Sequence, residues 1–470
     1  MKCTLFIKCF LLFICIGSCN AGSHDANTVA DATDTGFVRE QVVTDTTLPT
    51  GKLIPRIVCR ADAGESYALY IPAKNNETPM PVIYFFDPHA DGEGALKRYM
   101  TLADRYGFAM AASNNSKNGN DWPAEEHTWS SLYNDTRNRF PIKPGRVYTC
   151  GFSGGAKAAT YFALQHKEIS AVIACGAVLP EMTSTGNLSF SFTAISGEGD
   201  MNRSDMVAMN NALDNSPARH CIIFFNGIHE WPPGDIMDLA FAGLYFDAMY
   251  KKIMPMDVGF INEYAVASQQ RIHIFSKANN QLRAEAECRL SINLFSGISD
   301  HTILFENVDS VIKSKPAYQQ QLAVSNKLQQ REQEIKAIYQ QHFSQGDMNY
   351  WLPTVKDVMA RAKATGAEAA MYQRLKAYLS LAFYSISNQV INRRQYPAAE
   401  NYVGLYKLVD SGNSEAWYFS AILNAANKNT AQAKADLLKA VGNGFNDKAR
   451  LQQQEEFKGI ELTEIISKMK

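Results

Sequence analysis

Between about residues 52 and 252, short apolar runs rich in β-branched and aromatic residues alternate with segments of helical composition. No other feature of the chain restricts its fold as much. The runs at 81–86 and 171–175 are apolar at consecutive positions, not at every second one. A strand of that kind is covered on both faces, as in a mostly parallel sheet packed between helices. The expected strands are residues 67–71, 81–86, 108–113, 146–150, 171–175, 190–196 and 221–226, with helices at 94–106, 154–166 and 204–213. An α/β domain is therefore expected over 48–255. The gap at 114–140 reads as a long polar loop, and it holds Trp122, His127 and Trp129. Long loops on such scaffolds carry binding residues.

With 470 residues the chain exceeds one hydrophobic core, so further domains are expected. At the N-terminus Lys2 and Lys8 flank the short apolar stretch 5–16, the pattern of an export signal over 1–21. The stretch closes with Ile16-Gly17-Ser18-Cys19, which resembles a bacterial lipobox. Cys19 is then the lipid attachment site and the protein is held in the cell envelope, periplasm or outer membrane, by a lipid anchor. The other reading is an ordinary secretory signal cut after Ala21. Residues 22–47 are small, polar and acidic, a tether. Of nine cysteines, Cys3, Cys9 and Cys15 leave with the signal. Cys150, Cys175 and Cys221 sit in apolar β-like runs as small hydrophobes, and Cys59 and Cys288 have no spacing that argues for a disulfide framework. No CxxC or HExxH spacing occurs, so no metal or cofactor is expected. Forty-six Lys and Arg against forty-seven Asp and Glu leave no extended basic field, which argues against a nucleic-acid partner.

Residues 256–315 are mixed in character. From 316 to 470 the chain is rich in Gln, Lys, Ala and Leu with few breakers, and an all-α region is expected. Trp417, Ala421, Ala433, Leu437 and Ala440 have a spacing that resembles a tetratricopeptide repeat, followed by the stop Gly442-Asn443-Gly444-Phe445. A plain helical hairpin with alanine in its seam fits the same residues. Such a region can recruit a protein partner, cap a site or stabilise its neighbour.

The run Val147-Tyr148-Thr149-Cys150-Gly151-Phe152-Ser153-Gly154-Gly155-Ala156 carries G-x-S-x-G between an expected strand and an expected helix. In that setting the serine occupies a sharp turn, and flanking glycines are needed because neighbouring backbones crowd it. Here the chain resembles the α/β-hydrolase superfamily, and within it secreted esterases of the polyhydroxyalkanoate depolymerase and feruloyl esterase kind, over about residues 51–252. The resemblance implies Ser153 as nucleophile, with an acid and a histidine following in that order. Asp200, after the run 192–199, is the candidate acid, with Glu198 and Asp205 close by. His229, just after the last expected strand, is the candidate base, and Asp235 is an alternative orienting carboxylate whose place at an expected helix start reads as an N-cap instead.

The same resemblance implies an oxyanion hole formed by the N–H of Gly154 and a second donor from the loop 85–92. Pro88 departs from the usual His-Gly pair and has no N–H, which makes His89 the expected donor, with Asp87 or Ala90 open. Trp122, Trp129 and Trp231 are expected to line the substrate site. The activity implied is ester hydrolysis through an acyl-enzyme, on an ester-containing small molecule or a polysaccharide-linked ester. A peptidase of the same fold and an inert binding lipoprotein are the alternatives.

Overall fold

The computed structural model describes residues 48–73, 78–179 and 188–469. The export signal, Cys19 and the tether lie outside the described residues. In chain order the elements are β1 (Ile54–Val58), β2 (Ser66–Tyr70), β3 (Met80–Phe86), α1 (Gly92–Lys97), α2 (Met100–Tyr106), β4 (Ala109–Ser113), α3 (Trp122–Arg139), β5 (Ile142–Phe152), α4 (Gly154–Gln165), β6 (Ile169–Cys175), β7 (Ser191–Gly197), α5 (Arg203–Leu213), β8 (His220–Phe225) and α6 (Gly234–Tyr250). Helices then continue as α7 (Val258–Lys277), α8 (Gln281–Phe295), α9 (His301–Ser314), α10 (Pro316–Phe343), α11 (Met348–Arg361), α12 (Ala367–Asn392), α13 (Tyr396–Val409), α14 (Ser414–Ala426), α15 (Thr430–Gly442), α16 (Lys448–Gln453) and α17 (Thr463–Ser467).

The eight strands form one sheet in the order β1-β2-β4-β3-β5-β6-β7-β8. β2 pairs antiparallel with β1 and β4, whereas β3 runs parallel to β4 and β5, and β5 parallel to β6. All seven residues of β3 are buried, which is why its sequence is continuously apolar rather than alternating. Each of the seven expected strands is present. β1 is additional; its burial pattern has no two-residue period, so it leaves no signal in the sequence.

Two helical expectations change. Residues 94–106 form α1 and α2, because Tyr99 between them is fully buried and its ring stacks on Phe85 at 6.0 Å. The expected loop at 114–140 is largely the helix α3. Asp121 caps it, accepting the Ala124 N–H at 2.9 Å, and Pro123 stands in the first turn. Trp129, Leu132 and Thr136 are buried at helical spacing, but eighteen mostly polar residues masked that narrow stripe.

By compactness the described chain divides into two units, one reaching to Thr193 and including Ser216–Arg219 and Pro233–Met254, the other comprising Ala194–Asn215, His220–Pro232 and everything from Pro255. In the first, α4 presents Ala156, Ala159, Phe162 and Ala163 as its buried face and packs on β5 and β6. Thr149 of β5 donates to the Ala159 carbonyl at 2.9 Å, pinning strand to helix.

In the second unit the mixed segment 256–315 resolves into α7, α8 and α9. The core of the following helices gathers Trp351, Met371, Leu375, Leu379, Phe383 and Phe419, among others. α14 packs on α15, and Ala421, Ala433, Leu437 and Ala440 are fully buried there. Gly444 (φ +101°) then turns the chain in a conformation that favours glycine. Among the described residues no helix is long and apolar enough to cross a membrane.

Candidate active site

Ser153 stands between the end of β5 and the first residue of α4 with φ 54° and ψ −119°. A side chain rarely tolerates that backbone. Two things hold it there. The Ser153 N–H donates to the Cys175 carbonyl at the end of β6, 2.8 Å away, and the turn packs without room for side chains on its flanks. A Cβ on Gly151 would lie 2.1 Å from the Gly155 carbonyl oxygen, and one on Gly155 would lie 2.0 Å from the Phe86 carbonyl oxygen. The glycines of the motif are thus steric necessities. The Gly154 N–H belongs to the first turn of α4, the positive end of the helix dipole.

Sequence reasoning missed Asn118. Its carboxamide lies against Gly154, so that a Cβ there would fall 1.8 Å from Asn118 Oδ1. The Asn118 N–H donates to the Pro88 carbonyl at 2.9 Å, and His89 forms an isolated bridge with Lys117. The segment before α3 is thereby joined to the loop after β3. Asp121-Trp122-Pro123 is a helix-start signal that could have marked the entry to α3, but nothing local in the sequence places Asn118 beside the serine.

In the loop after β3, Asp87 is buried and organises its neighbours. The His89 N–H donates to Asp87 Oδ1 at 2.8 Å, and the Ala90 N–H to the Asp87 carbonyl at 3.1 Å. Two of the three donors weighed from the sequence, His89 and Ala90, therefore point back into a local turn around the third, Asp87. The His89 side chain is 83% exposed.

Asp200 and His229 are brought together within the second unit. His229 Nδ1 lies 3.0 and 3.1 Å from the two carboxylate oxygens of Asp200. A carboxylate at Nδ1 holds the proton there and leaves Nε2 as acceptor. Asp200 is 1% exposed, and it also accepts the Asn202 N–H at 2.9 Å. The loops carrying the pair are laced by their backbones: the Glu198 N–H donates to Phe225 and the Gly199 N–H to Gly227, each at 2.9 Å.

The other carboxylates considered from the sequence are engaged elsewhere. Glu198 pairs with Arg203 at 2.9 Å and Arg283 at 3.7 Å, and burial lowers the Arg283 guanidinium from its usual range against the pull of Glu198. Asp205 and Asp235 stand in the first turns of α5 and α6, where a negative charge suits the helix dipole.

The three tryptophans differ. Trp129 does not line a site. It is 1% exposed and stacks between Tyr133 at 5.2 Å and Phe162 at 5.4 Å, because its helix turns it into the core. Trp122 is 40% exposed and stacks on Tyr161 at 4.3 Å. Trp231 is partly buried in the His229 loop. His127 pairs with Asp62 at 2.7 Å.

Cys59, Cys150, Cys175, Cys221 and Cys288 are free and buried. Burial pushes the Cys150 thiol well above its ordinary range, which removes thiolate reactivity. Among the described residues no group of His, Cys, Asp or Glu is placed to hold a metal ion.

No family model matches the chain, and no curated protein matches it. It is similar to solved structures at low identity. A fluorophosphonate-binding serine hydrolase F of Staphylococcus aureus shares 12% identity at a TM-score of 0.36, the match covering 42% of this chain and 99% of that one. A ferulic acid esterase shares 15% at 0.32, covering 42% and 97%. An S-formylglutathione hydrolase from Agrobacterium tumefaciens shares 15% at 0.32, covering 39% and 89%. The chain's own topology carries the conclusion: an eight-stranded, mostly parallel sheet flanked by helices, with a positive-φ serine between β5 and α4, is an α/β-hydrolase fold, here followed by an all-helical region.

Proposed function

We propose that this protein is an exported serine hydrolase that cleaves carboxylic esters through an acyl-enzyme on Ser153. His229 takes the serine proton and returns it to the leaving alcohol. Asp200 holds the imidazole in the tautomer that leaves Nε2 as acceptor and stabilises the imidazolium without itself being protonated. Water then attacks the acyl-enzyme by the same proton route in reverse. The observation that carries this reading is the Ser153 backbone, held at φ 54° at the mouth of α4. With ψ at −119° the residue lies outside the left-handed helical region, and backbone strain of that kind clusters at active sites.

The Gly154 N–H and the positive end of α4 favour the oxyanion of the tetrahedral intermediate. For the second donor the reading keeps His89, whose N–H exchanges its bond to Asp87 Oδ1 for the stronger one to the developing charge. Trp122 and Trp231 are proposed to contact a small or polysaccharide-linked ester. Export with a lipid on Cys19 completes the proposal and assigns the enzyme to the cell envelope.

The test is labelling of the purified protein with a fluorophosphonate probe, comparing wild type with Ser153→Ala and His229→Ala. Labelling that is lost in both variants is the expected result. A wild type that stays unlabelled beside a reactive control hydrolase overturns the proposal and leaves the helical region's binding partner as the question.

A further inference from the structure

The loop that carries Asp200 is gripped from the helical region. Arg374, in the first half of α12, sends Nη1 to the Glu198 carbonyl oxygen at 2.6 Å, two residues before Asp200. Its Nε bonds Glu332 of α10 at 2.7 Å, and Glu332 is held in turn by Lys336, also at 2.7 Å. Arg374 is 7% exposed and Glu332 1%. The neighbouring Gln373 fills the space beside Gly199, where a Cβ would lie 2.5 Å from Gln373 Oε1. From α8, Arg283 reaches the Glu198 carboxylate.

A guanidinium has five N–H donors and one carboxylate cannot satisfy them all, so this buried arginine needs a second acceptor, which the loop carbonyl supplies. The guanidinium is a planar fork whose geometry is fixed, so the bond sets the height of that carbonyl relative to α10 and α12. Through Glu198 and Gly199 the constraint passes to Phe225 at the end of β8 and Gly227 of the histidine loop, to whose carbonyls the two N–H groups are bonded.

We propose that Arg374, anchored by Glu332, is a positioning residue for the Asp200–His229 pair, and that the helical region serves catalysis by holding the acid loop in register. This rests on the serine-hydrolase reading above for its consequence in rate, but not for its geometry. Loss of Arg374 alone would leave the buried Glu332 carboxylate with one of its two cationic partners, Lys336, and removing one member of a buried ion pair is destabilising in itself. The test therefore uses the double variant Arg374→Met with Glu332→Gln. Arg374→Lys is the second variant: it keeps the charge beside Glu332 but replaces the fixed planar fork by a compact ammonium on a flexible stem, which does not set the position of the Glu198 carbonyl.

Two readouts are taken on folded protein of wild-type circular dichroism. One is the low-field proton resonance of His229 Nδ1–H, which reports the bond to Asp200 directly. The other is ester hydrolysis resolved into kcat and KM. The expected result is a resonance broadened or lost in the variants, with kcat lower by about 10- to 100-fold and KM changed by less than about twofold. A resonance and kcat at wild-type values in either folded variant overturn the proposal. If wild type itself neither hydrolyses esters nor labels, the hydrolase reading fails, and the resonance alone still decides whether Arg374 positions the pair.

Discussion

Replacing Ser153 by glycine should make the protein more stable than replacing it by alanine. Both variants lack the hydroxyl, so every contact of Oγ is lost equally and the comparison isolates the Cβ. At φ 54° and ψ −119° a residue with a Cβ bears strain of about 1–3 kcal/mol, which glycine does not. Against this, glycine raises the entropy of the unfolded chain, costing about 0.4–1 kcal/mol, and loses the burial of a half-buried methyl, at most about 0.8 kcal/mol. Taking the middle of each range, the strain of about 2 exceeds the opposing terms, about 1 together. Ser153→Gly should therefore exceed Ser153→Ala by about 1 kcal/mol, or about 2–4 °C in Tm for a unit of this size. Urea titration followed by tryptophan fluorescence measures it, with Trp129 in the same unit as the turn. If the glycine variant is equal to or less stable than the alanine variant, the turn is not strained in solution, and the inference from strain to function loses its basis.

Trp129 and Trp122 should separate cleanly. Truncation of the buried Trp129 to alanine is expected to cost about 3–5 kcal/mol in urea titration, whereas Trp122→Ala removes one exposed stack on Tyr161 and should cost less than about 1.5 kcal/mol. Glu125 gives a pH test. It is buried, and burial raises its carboxyl above the ordinary value of 4.5, against the pull of bonds from Ser116, Asn120 and Lys117. A carboxyl whose folded value is raised supports the fold fully below 4.5 and loses that support as pH rises through the folded value. Glu125→Gln should therefore gain in Tm relative to wild type as pH rises above 4.5, and a constant or shrinking difference on leaving that value would show that the carboxyl is not desolvated.

The strands were legible because burial on both faces writes itself as consecutive apolar residues, as in 80–86. The serine turn was legible because crowding by Phe86 and Gly155 admits only glycine at its flanks, which leaves a local signature. β1 was not legible, since Ile54–Val58 shows no alternation. α3 was hidden by its polar exposed face, and that error carried Trp129 onto a supposed surface loop. Among the acids, sequence order could not choose between Asp200, Glu198 and Asp205. The choice follows from which carboxylate the arginines occupy: Arg203 and Arg283 hold Glu198, and His229 faces Asp200.

The parts of the proposed machinery are thus specified at different ranges along the chain. Ser153 owes its conformation to contacts with β5, β6 and α4, all within the first unit and mostly within a few residues of the motif. Asp200 and His229 fall in the same compact unit as the helices, and the carbonyl preceding their loop is bonded by an arginine 176 residues onward. No local pattern can announce such a contact, because Arg374 sits on an ordinary amphipathic helix whose sequence would read the same with a solvated arginine. A division of this kind also predicts how the protein should tolerate change. Substitutions around Ser153 are limited by steric exclusion and fail individually. Substitutions along α10 and α12 are limited by the pairing of Arg374 with Glu332, so that exchanging both partners should be milder for folding than removing either one, and the effect of such an exchange should appear in the chemistry of the histidine before it appears in stability.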